Sequence, residues 1–333
     1  MHLEITRPGP VLPVPVDPSG ANGPTRAQSR GRRWRRSSRG LFVPADVDPD
    51  AAVQRIVEAA AAAPDGSAVT GWGSLYWRGA AWFGGVGSSG ELLPVPLAVG
   101  DRRHAPLRTE VELCYDWLFE DDITELDGLP VTRPERAVCT ATLRKRGIEP
   151  AVQTIDMALA SRLVTASGLA AYAERLRGRP HSRRLLSAVA LARDDVWSPM
   201  ETTMRLRWIG RRPAAPLLCN APLFDRSGAH LLTPDLLDPV AGVAGEYDGR
   251  VHDESRVRRR DLEREEKARS VGLEVVSMVS TDLVDLASFE RRLDAAYARA
   301  ARRSHSGRWT LSVPSWWSPS SHAPPVLVEN PPS

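Results

Sequence analysis

Residues 233–252, TPDLLDPVAGVAGEYDGRVH, decide how the rest of the chain is read. Besides Asp238 at the turn, three acids, Asp235, Glu246 and Asp248, and one histidine, His252, sit in a largely apolar stretch punctuated by proline and glycine. Leu236 and Leu237 make a short strand, Asp238-Pro239 and Ala241-Gly242 a turn, and Val243 to Asp248 a second strand, so the pattern is that of a β-hairpin. Side chains alternate along a strand, which puts Glu246 and Asp248 on one face and Tyr247 on the other. With the turn near residues 238–242, Asp235 lies on the neighbouring strand within reach of Glu246. Carboxylates gathered this way repel one another unless protons or a cation intervene. A hard divalent ion, Mg2+ or Mn2+, suits an all-oxygen set made of Asp235, Glu246 and Asp248.

Working outward, residues 193–303 read as one domain built around this hairpin. Ser198 is placed to cap a helix, Pro199 suits its first position and Glu201 falls in its first turn. Met200, Met204 and Trp208 give that helix an apolar stripe. Two short strands, at 217–220 and 223–224, precede the hairpin. A charged helix at 256–270 follows it, mixing arginines with acids in the manner of a salt-bridged exposed face. A mostly apolar strand at 273–279 and a last helix at about 285–302 complete the set. Helix, strands, helix, strand is a mixed α/β order, a small sheet flanked by helices.

A length of 333 residues accommodates two domains. Residues 1–24 are rich in proline and glycine and read as disordered, as does the Pro/Ser/Trp-rich tail at 304–333. Residues 25–192 form an α+β region. It opens with a basic arm holding Arg26, Arg30, Arg32, Arg33, Arg35, Arg36 and Arg39, then a strand at 40–44. Basic residues around a short hairpin can follow a nucleic-acid backbone; a solvated arm leading into the first strand explains them equally. An alanine-rich helix follows Asp48-Pro49. Trp72, Trp77 and Trp82 recur every five residues, a spacing that aligns neither a helical nor a strand face, so they are read as core or interface aromatics. Short β pieces fall near 93–98, 110–113 and 123–131. From Pro134 to about Ala192 the pattern is helical, with Val152, Ile155 and Leu159 on one stripe. The arginines at 175, 177, 179, 183 and 184 belong either to solvated surface or to a DNA-facing patch.

The net charge is only +3, but Lys145 and Lys267 are the sole lysines, so nearly all positive charge is guanidinium. Guanidinium suits phosphate contacts, although base composition in the genome can produce the same bias. Cys114, Cys139 and Cys219 are scattered, odd in number and without a CxxC, which argues against a zinc site or a disulfide framework and fits a reducing cytoplasm. No stretch approaches the roughly 20 apolar residues of a membrane span.

The residues Ser198-Pro199-Met200-Glu201, Pro234-Asp235, Glu246-Tyr247-Asp248-Gly249 with His252, Arg260-Asp261 and Gly272-Leu273-Glu274-Val275-Val276 together resemble a family. It is the endonuclease-like domain related to very-short-patch repair (Vsr) endonucleases, within the PD-(D/E)xK superfamily. The region upstream, from Arg32-Arg33-Trp34-Arg35-Arg36 through Gly40-Leu41-Phe42-Val43-Pro44, is similar to the AbiEi-type antitoxin-like part of actinobacterial proteins that carry such a domain. The resemblance implies a restriction-endonuclease-like fold and a Mg2+-dependent DNA endonuclease or nickase. It implies that Asp235 and Glu246 bind metal with Asp248 beside them, that Glu201 approaches from the first helix, and that His252 assists water or phosphate. The superfamily lysine would fall at Asp248, so this chain departs from the wider motif there. The implied partners are DNA and a cognate toxin. An alternative reading makes the chain a non-catalytic, antitoxin-type DNA-binding regulator that keeps a nuclease fold without turnover.

Overall fold

A computed structural model describes residues 3–100, 110–248, 266–302 and 308–318. It is a mixed α/β protein with several small sheets and helices. The described chain divides into two compact units, one running to Leu191 and the other starting at Ala192. The expected junction at residue 193 lies beside that point.

The first unit is built on a five-stranded mixed sheet. Its centre is the short strand Ala68–Val69, which pairs antiparallel with Val95–Ala98 and parallel with the Leu129–Thr132 strand. Asp127 and Gly128, both with positive φ, turn the Ile123–Leu126 strand back onto Leu129–Thr132. Such a two-residue turn matches the twist of the strands it joins. Ile56, Val57, Val69, Trp77, Leu97, Leu129 and Val131 are closed off from solvent and make one core. Trp72 and Trp77 belong to it, on a helix, Gly71–Trp77, that the five-residue spacing does not reveal; Trp82 is exposed. Four helices follow: Pro134–Leu143, Ile148–Ala160, Ala166–Arg175 and Ser182–Leu191. The Val152, Ile155 and Leu159 stripe is buried as the period requires.

Of the segments read as disordered, residues 3–24 and 308–318 are described, and 1–2, 304–307 and 319–333 lie outside the described residues. At the N-terminus, Leu3 is buried, Arg7 pairs with Asp127 at 2.8 Å and lies over the Trp77 ring, and Val14–Pro15 adds a strand to the basic hairpin Trp34–Ser38 and Leu41–Pro44. Near the C-terminus, Thr310 exchanges backbone hydrogen bonds with Phe224, while Trp309 and Leu311 pack on the core of the second unit. Trp316 and Trp317 cluster with Phe224. Proline-rich composition withheld helical and strand periodicity from both segments, yet their few apolar side chains find core surface to cover. The arginine group at 175–184 is largely engaged within its own unit: Arg175 pairs with Asp121 and stacks on Phe119, Arg177 pairs with Glu174, Arg179 lies over Trp117, and Arg184 donates to the Leu143 carbonyl.

The second unit carries a four-stranded sheet ordered Leu218–Cys219, Leu236–Asp238, Val243–Asp248, Glu274–Val279. The first three run antiparallel in succession and the fourth is parallel to Val243–Asp248. The hairpin turn falls at 239–242: the Asp238 carboxylate accepts from the Val240 and Ala241 N–H groups, and Gly242 takes a positive φ. A further strand, His230–Leu232, pairs with Leu223–Phe224 outside this sheet. Of the charged helix expected at 256–270, residues 266–270 are helical and the remainder lie outside the described residues.

Helix Pro199–Arg211 crosses the sheet at Gly245. A Cβ added there would lie 2.6 Å from the Trp208 ring and 3.4 Å from the Met204 sulfur, so only glycine admits this approach. Trp208 then donates through Nε1 to the Tyr297 hydroxyl (2.9 Å), which donates to the buried Asp238 carboxylate (2.7 Å). One chain of hydrogen bonds thereby ties first helix, last helix and hairpin turn together. Gly245→Ala is expected to destabilise the second unit by about 1–3 kcal/mol, since a rigid buried indole has no room to shift. Urea denaturation followed by the loss of native tryptophan fluorescence measures it.

Candidate functional site

Asp235 occupies the point where three elements of the second unit meet. It stands one residue before the Leu236–Asp238 strand, and Leu236 pairs with Gly245, so the register sets Asp235 opposite Glu246. Its carboxylate accepts the Tyr247 N–H at 2.7 Å, and its backbone carbonyl accepts the Asn220 N–H at 3.0 Å. The sequence reading sets both acids on adjacent strands; the structure has Glu246 in its strand and Asp235 just before the start of its neighbour.

Glu201 arrives from a different element. Ser198 caps the helix by accepting the Glu201 N–H at 3.2 Å, with Pro199 at the first helical position. The Glu201 side chain folds back over this end, and its Oε2 accepts both the Trp197 N–H (2.8 Å) and the Asn220 Nδ2 (2.7 Å). Only 6 % of the residue is exposed. Burial, with the charge of Asp235 added, pushes its carboxyl up to about 7, against hydrogen bonds from Trp197, Asn220 and Ser198 that favour the charged form. Burial is the larger cause, and the neighbouring charge of Asp235 adds to it.

Asn220 is the residue that sequence reasoning missed. Its Nδ2 bridges Glu201 and the Asp195 carbonyl (2.8 Å), its N–H holds Asp235, and its φ of +48° is a conformation that asparagine tolerates better than most residues. An asparagine closing an apolar run, Leu217-Leu218-Cys219-Asn220, was the available signal.

The other candidates are placed differently. Strand alternation puts Glu246 on the face of Ala244, opposite the face where Gly245 meets Trp208, and Asp248 ends the strand exposed. His252 lies outside the described residues. Among the described residues no three acids, histidines or cysteines form a group that could hold a metal ion. The expected set of Asp235, Glu246 and Asp248 is thus not gathered into one cluster there. Asp235 instead adds its charge to the surroundings of the buried Glu201, and the register sets it across from Glu246. Oxygen donors of this kind still suit Mg2+, which commonly takes one or two carboxylates and completes its shell with water and substrate phosphate. No helix among the described residues is long and apolar enough to cross a membrane.

Compared with known protein families, with characterised proteins and with solved structures, the chain has no match.

The raised Glu201 carboxyl gives a stability prediction with a definite sign. The folded chain keeps a proton that the unfolded chain, with its ordinary value of 4.5, releases. Without metal, stability therefore falls as pH rises from about 4.5 to about 7, by roughly 3 kcal/mol, and stays low above that window. Glu201→Gln retains an oxygen for Trp197 and Asn220 but cannot ionise. Its unfolding free energy in EDTA is expected to match wild type near pH 4 and to exceed it at pH 8, as urea titrations across that range would record.

Proposed function

We propose that the second unit is a Mg2+-dependent DNA endonuclease or nickase whose site is centred on Asp235. The observation that carries this reading is Asp235 itself: its carboxylate and backbone carbonyl are held by Tyr247 and Asn220, its charge acts on the buried helix acid Glu201, and the register sets Glu246 across from it. Catalytic carboxylates work when rigid elements hold them, and here each one sits at a helix start or a strand position. The second unit orders a helix, antiparallel strands, a helical segment and a parallel strand, and the reading as a nuclease rests on the resemblance of its sequence motifs to very-short-patch repair endonucleases.

Asp235 and Glu246 would be the donors for the ion, with Asp248 near the strand end and water completing the shell. When bound, a divalent cation neutralises phosphate charge and lowers the pKa of its water. Asp235 is oriented before any ligand arrives, because its carboxylate and its backbone carbonyl are both hydrogen-bonded. Glu201 holds or accepts a proton at the carboxylate that Asn220 and Trp197 position. Asp248 stands where the wider superfamily has a lysine, so the proton transfer assigned to Glu201 does not depend on an ammonium group.

A second reading, an antitoxin-type DNA-binding regulator, draws on the first unit. Its hairpin Trp34–Ser38 and Leu41–Pro44 carries exposed Arg36 and Arg39 and follows exposed Arg32 and Arg33. Such a surface would bind DNA through phosphates with a steep salt dependence.

Supercoiled plasmid separates the two. Wild type is expected to nick it with Mg2+ and not with EDTA, and Asp235→Asn and Glu246→Gln are each expected to reduce the rate at least a hundredfold while leaving the unfolding transition in place. Nicking at the wild-type rate by both variants would remove the nuclease reading. DNA retention that is indifferent to EDTA and to Glu246→Gln, with no nicking, would support the regulator.

A further inference from the structure

In the first unit, Tyr115-Asp116-Trp117-Leu118-Phe119 alternates aromatic and other side chains with the period of a strand. The chain runs on here from the Val111–Cys114 strand with no turn or bend before Glu120. Burial follows the alternation. Cys114 is closed off and Asp116 turns toward the buried Arg136 (3.5 Å) and Arg144 (3.8 Å), whereas Tyr115 and Trp117 are each 49 % exposed. Two residues of extended chain span roughly 7 Å, so both rings project from one side at that spacing. Phe119, next on the same side, is partly covered by Arg175, 4.0 Å from its ring centre, and by Tyr172.

The surroundings of these rings are cationic once the acids are accounted for. Asp116 is shared by Arg136 and Arg144, and Glu112 pairs with Arg144 at 3.0 Å. Asp121 lies between Arg133 and Arg175, and Glu174 pairs with Arg177 at 2.6 Å. Arg179 lies over Trp117, 4.5 Å from its ring centre, and pairs with no acid among the described residues. Arg183, Lys145 and Arg146 are exposed and form no ion pair there either, although Lys145 is within electrostatic reach of Glu91. Contacts join these groups into one surface. Arg184 donates to the Leu143 carbonyl, which seats the start of the Ser182–Leu191 helix beside residues 143–146. Arg144 in turn reaches the Cys114 sulfur at 2.7 Å, next to Tyr115.

Exposed rings in step along an extended backbone, amid cations that no acid neutralises, match what an unpaired nucleic-acid strand presents: a flat base and a phosphate at every step. An acidic peptide would meet the cations but offer the rings no flat partner. A duplex keeps its base faces stacked within the helix. We propose that this surface binds single-stranded DNA, with bases stacked on Tyr115 and Trp117 and phosphates on Arg179, Arg183, Lys145 and Arg146. The choice of DNA over RNA rests on the reading of the second unit as a DNA nuclease; the stacking surface itself depends neither on metal nor on Asp235.

Fluorescence anisotropy of an end-labelled oligothymidylate, long enough at about 20 nucleotides to cover such a site, tests this with the full chain in EDTA, where no cleavage intervenes. Saturable binding that weakens steeply with salt is expected. Trp117→Ala should lower the affinity at least tenfold, and Trp117→Phe, which keeps a ring, less than threefold. Arg179→Gln, and Lys145→Gln combined with Arg146→Gln, should each lower it at least threefold and flatten the salt dependence. As competitors, a duplex of the same sequence, oligouridylate RNA and oligoglutamate are each expected to be at least tenfold weaker. Absence of saturable binding, wild-type affinity in Trp117→Ala, or equal competition by the duplex or by oligoglutamate overturns the stacking surface. Equal competition by the RNA overturns its assignment to DNA. Plasmid nicking is judged separately, through Asp235→Asn and Glu246→Gln.

Discussion

The contact between the Trp208 indole and the bare backbone of Gly245 governs the second unit. A helix can lie this close to a strand only where the strand offers no side chain, and the sheet offers that at one position of the central Val243–Asp248 strand. Once the helix is seated there, Met204 and Trp208 close the core with Phe289, Leu293 and Ala296 of the last helix. The indole nitrogen then fixes Tyr297, and through it the buried carboxylate of Asp238 at the hairpin turn. The first turn of the same helix is thereby delivered to the end of the hairpin, which is how Glu201 comes to lie beside Asp235.

Polar groups at that junction are costly to bury and are therefore held in several directions. Glu201 loses hydration and is compensated by Trp197 and Asn220; Asp235 is compensated by Tyr247 and, through its backbone, by Asn220. The compensation is incomplete, as the carboxyl raised to about 7 records.

Much of this was legible in the chain. The hairpin could be read from its punctuation, because Asp238, Pro239 and Gly242 encode a turn by local stereochemistry and the apolar residues beside it alternate. The helix start at Ser198-Pro199 is likewise a local matter, since a hydroxyl, a fixed φ and an acid in the first turn act within four residues. The helical stripe of Val152, Ile155 and Leu159 follows from the same period. These features depend on neighbours in sequence, and sequence determines them.

What only the tertiary structure decided depends on partners far along the chain. Proline-rich ends carry no period, so their docking through Leu3, Arg7, Trp309 and Leu311 emerged only once a core existed for them to cover. Asn220 became a site residue because it sits 19 residues from Glu201 and is folded against it. Glu246 and Asp248 share a strand face, as alternation demands, but which face meets the helix was set by Gly245. Short-range stereochemistry and periodicity thus wrote the elements into the sequence. The choice of which acids meet came from packing, because a side chain's neighbours across a sheet are fixed by the shapes that must close around it.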